Sequence, residues 1–416
     1  MASSFETTLF PIVQTINEYL SNYVLVILLL GVGIWYTIKT RCVQVRCFKE
    51  GWTRVFGNIT LNGKKGGTGM SSFQALATAI AAQVGTGIIV GVAGAILTGG
   101  PGAVFWMWLV ALLGGASAFI ESTLAQLYKV PDGNGGSRGG PAYYIEKVLG
   151  SRVLALLFSV FLILTYMVGF NMVASYNLMD AFSGYSFFSP TTTPTVVGVV
   201  LAVLTALCIM GGSQRLSRVT GVLVPVMGGI YVLAALVMIV LHIGLLPGVI
   251  AAIFRNAFDF KAIFGGFAGS AMMQGIRRGL YSNEAGIGSA PNASASANVS
   301  HPVKQGLIQA LGVFIDTLVI CSCSAFLMLL APAEKIEGLM GMDLLQAAMN
   351  HHLGYAGVVF IAVVLFLFSF STFLGILYYA RCNVSYVFGD TWKAQTGYKI
   401  FLLIMLFIGG VAAYEF

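Results

Sequence analysis

Charge is scarce in this chain. Asp, Glu, Lys and Arg make up 9% of its 416 residues and hydrophobic residues 57%, whereas a soluble domain carries about 25% charged residues. That excludes a soluble globular protein; the chain reads as an integral membrane protein along its length. Catalytic signatures are missing too: there is no H-E-x-x-H and no P-loop. The loops are too short for a soluble catalytic domain, so the chain is not read as an enzyme. The six cysteines show no C-x-x-C spacing and no disulfide framework. No cleavable signal is expected, since the first 20 residues hold Glu6 and Glu18 and no basic start. The first span then serves as its own insertion signal. Histidines are few. The adjacent pair His351–His352 could bind a metal, but a wet outer loop explains it better, and no cysteine or clustered acid completes a ligand set.

What charge there is has a pattern. The net charge is +7, and Lys39, Arg41, Arg46, Lys49, Arg54, Lys64 and Lys65 face a single acid, Glu50, in one stretch. This is a cytoplasmic loop by the positive-inside rule, with some contact to anionic lipid, and not a nucleic-acid surface. Apolar runs of 18 or more residues recur, long enough to cross about 30 Å of hydrocarbon. They predict ten spans, near 22–38, 71–98, 101–128, 153–182, 193–211, 219–247, 262–300, 306–331, 355–380 and 398–414. With the N-terminus outside, the basic loops near 129–152, 213–218 and 381–399 all fall on the cytoplasmic side. The external stretch 334–352 mixes apolar and polar residues at helical spacing; it reads as a short surface helix over the outer vestibule or as an ordinary loop helix.

Two of these segments are broken by glycine in matching register. Gly85-Thr86-Gly87 is followed by Pro101, and Gly286-Ile287-Gly288 by Pro302; each landmark recurs 201 positions later. Glycine frees the backbone and bares amides and carbonyls, which survives in a membrane only where protein walls a cavity. The two broken segments cross in opposite directions, five spans apart. This predicts an all-α membrane protein with a five-plus-five inverted repeat and one extra N-terminal helix. Residues 1–66 would hold the external segment, the extra helix and the basic loop, residues 67–247 the first repeat and residues 248–416 the second. A complete set needs an eleventh span, so the second repeat is expected to lack its last helix.

The chemistry is expected at the breaks. Around the first, Gln83 and Thr86 sit beside bared backbone, where half-helix amino termini attract a carboxylate and exposed carbonyls a cation. The second contains Arg277, Arg278, Asn283 and Glu284, costly groups in a membrane and functional by default. Its centre is left open between Gln274–Gly279, with Gly275 and Ile276, and Ser282–Gly288. Glu284 pairing with an arginine is the structural alternative. In the ninth span, the adjacent hydroxyls of Ser371 and Thr372 could join carbonyls near Ala82 and Gly85 in an all-oxygen sodium site; the competing reading has them bonding back to their own helix. Asp316 and Glu121 are expected to pair with arginines, with proton relay as the sharper reading.

The strings GGPGAVFWMW (99–108), GGPAYYI (139–145), SNEAGIGSAP (282–291) and FSTFLG (370–375) resemble the alanine or glycine:cation symporter family, also called the sodium:alanine symporters, over roughly residues 66–400. The resemblance implies a leucine-transporter-type fold and sodium-coupled uptake of a small neutral amino acid. The chain departs from the family pattern at Ile88, where an asparagine is usual, at Ala174 (glutamine), at Ile376 (tryptophan) and at Arg381 (an acid). With it, the expected substrate set comprises Gln83, Gly85, Thr86, Gly87, Phe170, Asn171, Gly275, Ile276, Asn283, Glu284 and Ile376. The sodium set comprises Ala82, Gly85, Ser371 and Thr372. The expected carrier is a monomer in a bacterial or archaeal plasma membrane. Proton coupling with a somewhat larger amino acid, or a sensor on the same scaffold, are the alternatives. Smaller residues at 174 and 376 imply a pocket wider than alanine needs.

Overall fold

The computed structural model describes residues 4–57, 69–132, 135–259, 266, 269–336 and 338–412. Within them the protein is all-helical apart from one two-residue hairpin, Val130–Pro131 against Ser137–Arg138. A long N-terminal helix, α1 (Pro11–Lys39), is followed by a short amphipathic α2 (Phe48–Phe56). Then come α3 (Ser72–Gln83), α4 (Thr86–Gly99) and α5 (Ala103–Leu127). After the hairpin follow α6 (Pro141–Leu149), α7 (Arg152–Ser183), α8 (Thr192–Met210), α9 (Gly212–Leu241) and α10 (Leu246–Ala257). The last group is α11 (Ala271–Asn283), α12 (Pro302–Leu329), α13 (Gly341–Leu353), α14 (Tyr355–Phe388) and α15 (Trp392–Ala412).

Among the described residues eight helices are long and apolar enough to cross a membrane, and a ninth span results if α3 and α4, bent by 50° at their junction, count as one. The sequence expectation of ten is therefore not met on this criterion. The difference is the segment 262–300. Its helix α11 has 13 residues, about 20 Å at 1.5 Å per residue, and ends at a run of left-handed residues. Of the basic stretch, Lys64 and Lys65 lie outside the described residues. The expected loop at 213–218 is instead the first turns of α9.

Burial sorts the helices into rings. Of the apolar window, 78% is buried in α12 and 67% in α14, but only 11% in α1. The outer helices present Ile27, Leu28 and Trp35, Val199 and Val203, and Leu233 and Val240, the surface that hydrocarbon requires. The inner ring packs around Phe368, Phe373, Leu374 and Tyr379 of α14 against Ala81, Ala82 and Ile89 of the first broken segment.

Local sequence sets the key termini. Ser71 and Gln74 form a reciprocal capping box at the start of α3. Ser270 Oγ caps α11 by accepting from Met273 N. In α12 the stretch Phe314–Cys321 widens to a π-helix around Asp316, a distortion common at functional positions. The stretch 334–352 does carry a helix, α13, packed on α14 and α4.

Candidate functional site

The first break is short. α3 ends at Gln83, Gly85 is extended (φ −122°, ψ −179°) and Thr86 opens α4. Gly85 is constrained by space, not by conformation: a Cβ there would lie 2.5 Å from Thr372 Oγ1 of α14. At Gly375, one turn along, a side chain would overlap the backbone of Ala82. α14 thus lies directly against the carboxyl end of α3, where the carbonyls lose their helical partners.

The second break is longer and settles its own centre. α11 runs unbroken through Gln274–Gly279. It stops at Asn283, and then Glu284 (φ 51°), Gly286 (φ 85°) and Gly288 (φ 87°) adopt left-handed conformations. For a glutamate this is a strained conformation, of the kind held at functional sites. Gly275 and Gly279 serve packing: a Cβ at Gly275 would overlap Ala103 and Trp106, and one at Gly279 would press on Met107 and Val110, all on α5.

Side chains from the surrounding helices satisfy the bared backbone. Glu121 of α5 accepts from Gly286 N at 3.0 Å. Gln126 donates to the carbonyls of Ser294 and Ala297, and Lys129 Nζ to Ala297 at 3.0 Å. Asn298 N bonds Met70 O at 2.8 Å, bringing the end of the second broken segment to the start of the first. The two breaks also meet at the centre, where Gln83 Nε2 donates to Asn283 O at 2.6 Å.

Glu284 is 2% exposed. Its carboxylate accepts from Tyr166 Oη at 3.0 Å and from Ser289 Oγ at 2.6 Å. The alternative of an arginine pair is not made among the described residues; the two hydroxyls bond the carboxylate instead. Arg278 instead lies over Gly91 of α4, with its guanidinium 4.9 Å from the Tyr281 ring. Asp316 accepts from Ser282 at 2.7 Å and from Thr317 at 3.0 Å. Neither it nor Glu121 forms an ion pair with an arginine among the described residues. The pairs that do form there, Arg54–Glu50 and Arg138–Asp390, lie outside this centre.

A small cavity opens between the breaks. Its volume, about 20 Å³, is roughly the room of one ordered water. Ala82, Gln83, Gly85 and Gly87 line it from the first break, Tyr281 and Glu284 from the second, Phe170, Ala174 and Asn177 from α7, and Thr372 from α14. Phe170 and Tyr281 stack over it, ring centres 5.3 Å apart and nearly parallel.

Of the residues expected from sequence, the cavity brings together Gln83, Gly85, Gly87, Phe170, Glu284, Ala82 and Thr372. Thr86 heads α4; its side chain lies outside what the structure describes. Asn283 touches Gln83 through its carbonyl, while its side chain bonds Thr317 and Ala285 N. The others lie apart from the cavity. Asn171 donates to Met167 O and Leu402 O. Ile276 packs with Val26 and Val110, and Ile376 is fully enclosed in the core. Ser371 and Thr372 both donate to Phe368 O at 2.9 Å. This is the back-bonded arrangement, and it leaves each oxygen its lone pairs. Sequence reasoning missed Tyr166, Asn177, Tyr281 and Ser289; only Ser289 stood inside a conspicuous string, SNEAGIGSAP.

Chemically, the cavity joins a helix carboxyl end, which favours a cation, to a helix amino end, which favours an anion, and adds a buried carboxylate. That suits a small zwitterion and a hard cation.

A family model described as the sodium:alanine symporter family matches residues 6–416. The chain is 45% identical over 400 residues to the amino-acid carrier protein AlsT of Bacillus subtilis, covering 96% of this chain and 83% of that one. It is 44% identical over 401 residues to the probable sodium/glutamine symporter GlnT of the same organism, covering 96% and 82%. To the sodium/alanine symporter AgcS of Methanococcus maripaludis it is 36% identical over 410 residues, covering 97% and 88%.

Proposed function

The chain belongs to the sodium:alanine symporter family, and from that premise we propose that it imports a small neutral amino acid, coupled to sodium, through the cavity between its two helix breaks. The observation that carries this is the meeting of four groups at one point: the carboxyl end of α3, the amino end of α4, Glu284 and Thr372. The substrate carboxylate is read to face the amides that begin α4 at Thr86–Gly87, its ammonium to face Glu284 and the end of α3. Sodium is read to sit between Thr372, with Ser371 beside it, and carbonyls near Ala82 and Gly85, the oxygen set a hard cation takes.

The cavity as it stands is too small for an amino acid, so binding requires Phe170 and Tyr281 to part. Alternating access then exposes the site to one side and the other without any bond being made or broken. The matched breaks and the contact between their far ends support a five-plus-five inverted repeat behind an extra helix, with the N-terminus outside and the protein in the plasma membrane. On that view residues 284–300 complete a tenth crossing as irregular backbone enclosed by α5, which is where such backbone is tolerated.

The test is uptake of labelled alanine, glycine and glutamine into proteoliposomes, with a sodium gradient, a proton gradient or neither. Sodium-driven accumulation of one of these is expected. Uptake driven by protons alone would replace the coupling ion, and uptake of none would reject the substrate class.

A further inference from the structure

A histidine distant in sequence meets an adjacent pair at one end of the helix bundle. His242 ends α9, while His351 and His352 lie in the last turn of α13. One ring nitrogen from each lies within 4.8 Å of the others. The ring centres of His242 and His352 are 4.8 Å apart and those of His351 and His352 5.4 Å. The sequence offered only the adjacent pair; α9 supplies the third ligand.

Two of the histidines have one ring nitrogen already engaged. His242 Nδ1 lies 3.0 Å from Met238 O, so it carries the proton and Nε2 keeps its lone pair. His352 Nε2 lies 3.0 Å from Leu327 O of α12, so it too is the protonated nitrogen. Its Nδ1 is buried and has no hydrogen-bond partner. A backbone carbonyl holding the outer N–H and fixing the tautomer is how metal-ligating histidines are oriented. His351 is exposed, which leaves a way in from solvent.

We propose that His242, His351 and His352 form a binding site for one borderline divalent transition-metal ion, Zn²⁺ first among them. Three neutral imidazoles suit Zn²⁺ or Co²⁺, whereas Ca²⁺ and Mg²⁺ want oxygen ligands. At a metal–nitrogen distance of about 2.1 Å, tetrahedral ligands stand about 3.4 Å apart, so the rings must close in, which side-chain rotation of the exposed His351 can begin. The fourth position is open to water. The bound ion would tie the end of α9 to α13, and α13 packs on both α4 and α14. The site stands clear of the central cavity and does not depend on what that cavity transports.

Tag-free protein in detergent is titrated with Zn²⁺ against a chelating dye and separately with Co²⁺, read by visible absorption. One ion per chain is expected, with the strong absorption of tetrahedral Co²⁺. His351→Ala changes an exposed side chain and should weaken Zn²⁺ binding at least tenfold without lowering the melting temperature of the metal-free protein. His242→Ala should do the same for affinity, and His242→Cys should restore it. No binding by the unaltered protein, or an affinity unchanged in both alanine variants, overturns the proposal.

Discussion

Gln83, the last residue of α3, donates its side-chain amide to the backbone carbonyl of Asn283, the last residue of α11, at 2.6 Å. Each residue stands at the point where its helix stops, and one hydrogen bond ties the two stops together. It supplies a donor to one of the orphan carbonyls that a helix end leaves behind. It also fixes how far apart the two halves of the cavity wall can stand.

Gln83→Leu should therefore be destabilising. The buried Asn283 carbonyl would lose its donor, at about 1–3 kcal/mol. We expect a lower melting temperature together with weaker substrate binding, while Gln83→Glu should impair binding more by adding a buried charge. Thermal unfolding in detergent and saturation of uptake measure the two effects. Uptake by Gln83→Leu at the native half-saturating concentration would show that the tie does not shape the cavity.

Gly85 and Thr372 should be coupled. A Cβ at Gly85 would press on Thr372 Oγ1, and overpacking of this kind costs about 1–3 kcal/mol. In a Thr372→Ala background the same Gly85→Ala change should cost measurably less, because the obstructing oxygen is gone. A double-mutant cycle on melting temperature reads the coupling. Thr372→Ser, which keeps the oxygen, should retain sodium dependence, and Thr372→Ala should lose it. Additive stability effects would mean the contact is not felt.

The glycine pattern made the breaks legible because backbone freedom is written in the residue itself. Gly286 and Gly288 are left-handed where the register placed them. The run QGIRRG misled because Gly275 and Gly279 look the same in sequence, yet both face α5 and serve close packing. The pairings of Glu284, Asp316 and Glu121 were not legible. Their partners are Tyr166, Ser289, Ser282, Thr317 and the Gly286 amide, and mostly a single polar group in an apolar run gives no hint of what it will meet. The span count fell short for a related reason. Length and hydropathy recognise continuous helices, and after Asn283 the backbone is irregular apart from the short helix Pro291–Ser294, held by side chains of α5.

Tyr166→Phe should leave the fold intact and disturb the site. It removes one of two hydroxyl donors from the buried Glu284 carboxylate, at a cost of about 1–3 kcal/mol. Substrate affinity should fall several-fold, and Ser289→Ala should act in the same direction. Binding heats of the two single variants and the double variant test this. Native affinity in the double variant would remove Glu284 from the site.

Pocket size separates two positions that the sequence had joined. Ala174 lines the cavity, whereas Ile376 is enclosed in the core among α14's neighbours with no exposed surface. Enlarging either one should therefore have different consequences. Ile376→Trp inserts an indole where no space exists, and should lower stability by about 1–3 kcal/mol with little change in which amino acids compete for uptake. Ala174→Val adds two methyl groups to the cavity wall. Pocket discrimination runs at about 1–3 kcal/mol per methylene, so larger amino acids should lose tenfold or more in competition while glycine and alanine are affected least. Competition uptake with a series from glycine to leucine and glutamine, beside melting temperatures for both variants, decides it. An unchanged profile in Ala174→Val would place the side-chain pocket elsewhere. A shifted profile in Ile376→Trp without loss of stability would mean that α14 moves on binding and brings residue 376 to the substrate.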